Sequence, residues 1–285
     1  MDGPSNLYRS LVRRALEARQ SPTYRAARLS LITIHALLLR EAVTRYGQRS
    51  AGYAWAMIQP LIMLSAILLI FKGVGRSPQV GESLVVFFLT GIIPVMMFRH
   101  SISRGANAIR SNRALMRYPQ VTGLEVITAR VLLELLTNFL VFLIIMLFMK
   151  AFKGLPISAW ISNPLELLCA LGTLALLCYG AAFLSAQIGR VVSQWSDLMG
   201  VLGRFLFFTS GVWFTLETLP PRWRHYASYN PVAQVIEWIR DAAIPGFESP
   251  HVNYSYPIAF AVVCLALGLF VEWVFQMSGL DRERD

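Results

Sequence analysis

The chain has 285 residues, 55% hydrophobic and 15% charged, against about 25% charged in soluble globular chains, which sets aside an ordinary soluble enzyme. Its net charge is +10, and all but Lys72, Lys150 and Lys153 of its 26 basic residues are Arg. Nucleic-acid binding could use that excess, but basic flanks of membrane spans explain it more simply.

The first 50 residues carry nine Arg and no long apolar core, the reverse of a secretory leader, so no cleavable leader is expected. Residues 1–27 read as an N-terminal cytoplasmic extension. From Leu29 the apolar residues Leu29, Ile32, Ala36, Leu39 and Val43 recur at helical spacing, with Arg28, Arg40 and Arg45 supplying charge. This predicts an amphipathic helix over 28–48 that lies along the membrane surface. Such a helix could simply anchor the chain, or it could dock a cytoplasmic partner.

About 20 apolar residues are needed to cross a bilayer, and six stretches qualify: about 52–71, 84–102, 126–149, 165–188, 198–216 and 257–277. The expected fold is therefore an all-α membrane protein with six transmembrane helices across 52–277 and a tail at 278–285. Lys and Arg concentrate in the head, the 103–130 connection, Arg190 and the tail. The opposite connections hold only Lys72, Arg76, Lys150, Lys153, Arg222, Arg224 and Arg240. Both termini are thus expected in the cytoplasm. The Cys residues (Cys169, Cys178, Cys264) lie in apolar runs without metal-ligand spacing and read as packing residues.

Two connections have a pattern of their own. In SISRGANAIRSNRALMRYP, Arg110, Arg113 and Arg117 fall at i, i+3 and i+7, which predicts one basic stripe on a short cytoplasmic helix. Flanking charge alone would account for these residues; a partner contact is the sharper reading. Between spans five and six, Trp213 to Leu219 runs into Pro220-Pro221. Asn230-Pro231 then caps and starts a helix of residues 231–243, about 20 Å long and too short to cross. Two short re-entrant helices forming a lid fit this segment, with an interfacial aromatic belt as the alternative.

Arg99, Glu134, Arg204 and Glu272 fall inside spans, where ionisable groups are costly. At 1.5 Å per residue all four lie within roughly 5–12 Å of the cytoplasmic boundary and none at the midplane, which argues against a proton-coupled carrier. Arg130 and Glu134 are spaced to pair at i, i+4. Arg99 and Arg204 either snorkel or line an inner mouth that meets an anionic headgroup or acidic sugar. His35, His100, His225 and His251 are scattered, and His225 with Glu217 and Glu248 is the best cluster a lipid-modifying membrane enzyme could use. No P-loop motif occurs, so an ATP motor would have to be another polypeptide.

Three stretches resemble a known family: LLLREAVTRYGQRSAGYAWAMIQP at 37–60, LTGIIPVMMFRHSISRGANAIRSNRALMRYP at 89–119 and LPPRWRHYASYNPVAQVIEWIRDAAIPGF at 219–247. Together they are similar to the membrane permease subunit of type-two ABC exporters, and within it to the Kps-type capsular polysaccharide export family. The O-antigen and teichoic-acid-like polymer exporters share the topology. The resemblance implies an interface helix against an ATPase around Arg40, Glu41, Arg45 and Tyr46. It implies a coupling helix around Asn107, Arg110, Asn112, Arg113 and Leu115, and a periplasmic gate around Trp213, Trp223, Tyr229, Asn230 and Arg240. It further implies a homodimeric permease in the bacterial inner membrane with two nucleotide-binding subunits carrying ATP and Mg. No cofactor is expected on this chain. The substrate would be a lipid-linked acidic polysaccharide, passed on to periplasmic and outer-membrane capsule export proteins.

Overall fold

The computed structural model describes residues 22–46, 52–75, 81, 83–118, 120–153 and 161–278. Most of the N-terminal extension, Pro119 and nearly all of the tail lie outside them. Every regular element among the described residues is helical. In chain order these are α1 (Pro22–Tyr46), α2 (Gly52–Gly73), α3 (Leu84–Ala106), α4 (Ala108–Ser111), α5 (Arg113–Met116), α6 (Gly123–Lys153), α7 (Pro164–Val191) and α8 (Trp195–Thr209). A 3-10 turn at Leu216–Thr218 follows, then α9 (Pro221–Ser228), α10 (Pro231–Ala243) and α11 (Ser255–Ser278).

Two of the long helices, α6 and α7, start where local side chains satisfy free N–H groups. Before α6, Thr122 and Glu125 stand as a capping box, the Glu125 carboxylate accepting from the Thr122 N–H at 2.9 Å. Before α7, Asn163 accepts from the Glu166 N–H and donates from its amide to the Glu166 carboxylate at 3.0 Å, with Pro164 at the first helical position.

Among the described residues, four helices are long and apolar enough to cross a membrane: α3, the Gly123–Ile145 part of α6, α7 and α11. The expectation of six continuous spans is met only in part. α2 runs Gly52–Gly73 with Pro60 inside it, and its described side chains from Ile58 to Gly73 form a mostly apolar stretch. The expected fifth span, 198–216, is not one helix. It starts earlier, at Trp195, stops at Thr209, and the chain turns at Gly211, whose φ is +80°. Its 15 residues rise about 22 Å. The backbone beyond Thr209 bonds to α10 instead of continuing the helix, as described below.

α3 is enclosed on all sides, with Phe87 through Phe98 buried without a break, and it packs on α7 and α8. α7 in turn holds α11, α10 and α6. Small residues let these backbones approach, as membrane helices require in the absence of a hydrophobic drive between them. A Cβ at Gly180 of α7 would run into the Ala261 carbonyl of α11, and one at Gly105 of α3 would lie 2.5 Å from the Ala182 carbonyl of α7. Gly180→Val is therefore expected to force α7 and α11 apart and destabilise the chain by roughly 1–3 kcal/mol. Thermal unfolding in detergent checks this, and a surface glycine with open space around it, Gly200→Val, serves as the control.

Candidate functional site

The residues that break the apolar pattern gather at the two ends of α3 and α7. At one end, α4 and α5 form an elbow after α3. Asn112 sits between them, buried, donating to the Ala108 carbonyl at 2.9 Å and accepting from Arg40 of α1 at 3.0 Å. Asn107 donates to the Ser196 hydroxyl at the start of α8 at 2.5 Å. Arg110 donates to the Gly189 and Ser193 carbonyls, both at 3.0 Å, closing the C-terminus of α7 as a cation should. The elbow thus grips α1, α7 and α8 together.

The predicted single helix with one basic stripe is corrected here. Asn112 interrupts it because its buried side chain bonds locally, the competition with helix typical of Asn. Arg110 turns inward, while Arg113 and Arg117 remain exposed beside Ala114 and Tyr118, and Leu115 is half-buried.

On α1 the apolar stripe read from the sequence points away from the bundle. Leu29, Ile32, Leu39 and Val43 are exposed, whereas Ser30, Ile34, Leu37, Leu38, Glu41 and Arg45 turn inward. Polar atoms on α6 select that face: Ser30 donates to Glu125 at 2.8 Å, Arg130 pairs with Glu41 at 3.2 Å, and Arg45 pairs with Glu134 at 2.8 Å. The side chain of Tyr46 lies outside the described residues. The expected Arg130–Glu134 pair is replaced by these longer-range ones.

Glu134 is the hub, 1% exposed. Besides Arg45 it meets Arg104 at 2.9 Å, His100 at 3.1 Å and the Asn138 amide at 3.0 Å. Glu272 of α11 is a second hub, taking Arg190 at 3.1 Å and the Gln187 amide at 3.0 Å, with the Arg190 guanidinium over the Phe275 ring. Arg99, half-buried, and Arg204, exposed, lie on α3 and α8, where these two helices meet at Gly203.

At the opposite end the chain from Ser210 to Tyr254 folds back as a hairpin. Asn230 caps α10, accepting from the Val232 N–H at 3.0 Å, and its amide donates to the Ser210 hydroxyl at 2.9 Å. Arg240 is 0% exposed. Its guanidinium donates to the Phe214 carbonyl at 3.0 Å and, at 3.4 Å each, to those of Phe87 and Val212, and it lies 4.0 Å from the Phe87 ring centroid. Glu237 accepts from the Leu216 N–H at 2.8 Å. Arg224 donates to the Leu216, Glu217 and Leu219 carbonyls. These bonds replace the helix that α8 gives up. Burial pushes the Asp241 carboxyl above its ordinary range; Glu166 adds to the rise, and the Tyr254 hydroxyl, donating to it at 3.3 Å, opposes it.

The aromatic residues of the hairpin divide into two groups. Trp213 is held between Phe71 and Phe208 in roughly parallel stacks, with Phe88 and Phe207 edge-on. Its faces are covered. Trp223, Tyr226 and Tyr229 are 64%, 61% and 61% exposed, and His225 stacks edge-on against Tyr226 and Tyr229. In α10, Val232 through Arg240 are all buried, so it is enclosed on every side rather than along an apolar stripe alone. Arg224, Glu237 and Gly91, against which Arg240 presses, were not singled out from the sequence; a charged pair at i, i+3 on an otherwise apolar short helix was the available signal.

A family model described as ABC-2 type transporter matches residues 33–244, a stretch that takes in the second half of α1, the elbow and the hairpin through α10. The chain belongs to the ABC-2 type transporter family. It is 31% identical to the polysialic acid transport protein KpsM of Escherichia coli over 84% of this chain and 91% of that protein. It is 29% identical to the capsule polysaccharide export inner-membrane protein CtrC of Neisseria meningitidis over 83% and 87%. Against the capsule polysaccharide export inner-membrane protein BexB of Haemophilus influenzae the figure is 26%, over 83% and 88%.

The Glu134 hub predicts how the arm is held. Glu134→Gln leaves Arg45 and Arg104 without their countercharge, and is expected to raise amide hydrogen exchange across α1 at least tenfold while α7 and α11 stay protected. Hydrogen-exchange mass spectrometry of the purified chain checks this.

Proposed function

We propose that this chain is the membrane permease of an ATP-driven exporter that carries lipid-linked capsular polysaccharide across the bacterial inner membrane. The observation that carries the reading is near full-length similarity to capsule export inner-membrane proteins, joined to an elbow that leaves Arg113, Arg117 and Tyr118 exposed. In this reading the permease crosses six times, with α2 and the shorter α8 as the first and fifth crossings, and both termini are cytoplasmic. It is not itself an enzyme. ATP and Mg are held by two copies of a separate nucleotide-binding subunit, docked under the elbow and α1. Two permease copies enclose one canal, and the polymer passes to periplasmic and outer-membrane export proteins.

Each part has a physical task. A push on the elbow reaches α8 through Asn107 and Ser196, and α7 through Arg110. The exposed Leu29, Ile32, Leu39 and Val43 of α1 suit the membrane interface. At the far end, Trp213 seals rather than slides, since both of its faces are occupied. The free rings of Trp223, Tyr226 and Tyr229 offer apolar faces on which sugar rings can stack weakly enough to move. Asn230 and Arg240 hold the gate's frame instead of touching cargo.

Charge reversal of the elbow tests docking. Arg113→Glu with Arg117→Glu is expected to abolish copurification of the ATPase subunit and nearly all surface polysaccharide, while the permease still folds; undiminished copurification would sink the docking face. The gate has its own test. Trp223→Ala with Tyr229→Ala is expected to lower surface polysaccharide several-fold with ATPase copurification unchanged. Trp213→Ala should instead destabilise the fold by about 3–5 kcal/mol, read by thermal unfolding.

A further inference from the structure

We propose that a cavity between α3, α6, α7 and α10 is a binding site for the acyl tail of a bilayer lipid. Its volume is about 210 Å³, above the roughly 150 Å³ at which an engineered apolar cavity stays dry and takes up benzene. Native interiors leave few voids larger than a water molecule, so one of this size calls for an occupant. Two residues account for the gap. Pro94 stands inside α3 and has no N–H for the regular helix bond. Ala175 of α7 presents only a methyl, where Leu171 and Leu174 line the same wall with full side chains.

The chemistry of the wall selects the ligand. Its polar residues are Thr90 and Asn138, and both spend their donors within their own helices. The Thr90 hydroxyl donates to the Val86 and Phe87 carbonyls at 2.9 and 3.0 Å. The Asn138 amide donates to the Glu134 carbonyl at 2.8 Å and to the Glu134 carboxylate at 3.0 Å. No side-chain donor is left for an anion or a sugar, and a water needs about two to four polar partners. A hydrocarbon needs none.

Position supplies that hydrocarbon. Thr90 and Met97 lie about 9 and 20 Å from the start of α3 at 1.5 Å per residue, within reach of a hydrocarbon core about 30 Å thick. Ile93, Pro94, Leu174 and Ile239 form a buried floor, whereas Leu136 and Phe139 at the mouth are 50% and 53% exposed. Both belong to the apolar Gly123–Ile145 part of α6, so the mouth opens onto acyl chains. Ile239 precedes Arg240, and a seated tail therefore packs against the helix that frames the hairpin.

Photolabelling tests the site. The full chain is placed in vesicles of phosphatidylcholine that carry a trace of the same lipid with a diazirine at the end of one acyl chain, and the adducts are mapped by mass spectrometry. Label is expected on the buried Ile93, Met97 and Ile239 as well as on the outward-facing Phe270 of α11. Ala175→Phe fills the cavity and should remove the label from Ile93, Met97 and Ile239, while Phe270 keeps its own. Should that variant fail to fold, Ala175→Leu is the smaller filler. Label confined to outward-facing residues overturns the site, as does label on Ile93 that survives the filling. A second copy of the chain is the rival occupant. With Phe139→p-benzoylphenylalanine, lipid adducts support the site and chain–chain adducts overturn it. None of these readouts depends on export.

Discussion

Backbone inside an apolar slab must have its polar groups satisfied within the protein, and the hairpin depends on how Arg240 meets that demand. α8 stops at Thr209; the Ser210 N–H still bonds to the Leu206 carbonyl at 2.9 Å, and the chain then turns at Gly211. Arg240 supplies donors from one side chain, reaching the Val212 and Phe214 carbonyls just past the turn at Gly211 and the Phe87 carbonyl on α3. A lysine could not do this from one position, since only the guanidinium presents a rigid fork of donors. The cost of burying that cation is offset by the carbonyls, the Phe87 ring and Glu237, whose carboxylate in turn takes the Leu216 N–H. Gly91 leaves room for it: a Cβ there would lie 2.9 Å from the guanidinium.

The acids follow a related rule. Few occur in the described bundle, and the buried ones join segments far apart in the chain. Glu134 joins α1, α3 and α6, Glu272 joins α11 to α7, and Glu41 joins α1 to α6. Breaking a buried pair leaves an orphaned charge, which costs more than the pair contributes. These residues therefore fix relative helix positions more than they add stability.

The spans were legible where apolar length alone decides, as in α3, α6, α7 and α11, and so was the start of α10, because Asn230-Pro231 encodes a cap locally. The face of α1 was not. Its apolar stripe marked the membrane-surface side, but the opposite side is chosen by Glu125, Glu134 and Arg130 on α6, which draw in Ser30, Glu41 and Arg45, and partners about ninety residues away leave no trace in a helical period. The break at Asn112 and the end of α8 at Thr209 failed for the same reason. At Asn112 a tertiary bond from Arg40 of α1 holds the side chain whose local bond interrupts the helix, and past Thr209 bonds from Arg240 and Asn230 hold the turned chain.

That distribution bears on how motion could pass through the molecule. On the proposed reading, force enters at the elbow and must reach the hairpin. α8 is tied at its first turn by the Asn107–Ser196 bond and just past its last by Ser210 and Asn230. α7 is tied at its end by Arg110 and at its start by Asn163, whose N–H donates to the Ala242 carbonyl of α10 at 3.0 Å. Both helices are thus held at each end by polar contacts and packed against α3 along their length. A helix so held moves as a rigid rod, and a displacement at the elbow would reach the hairpin without any change in the bonds between them.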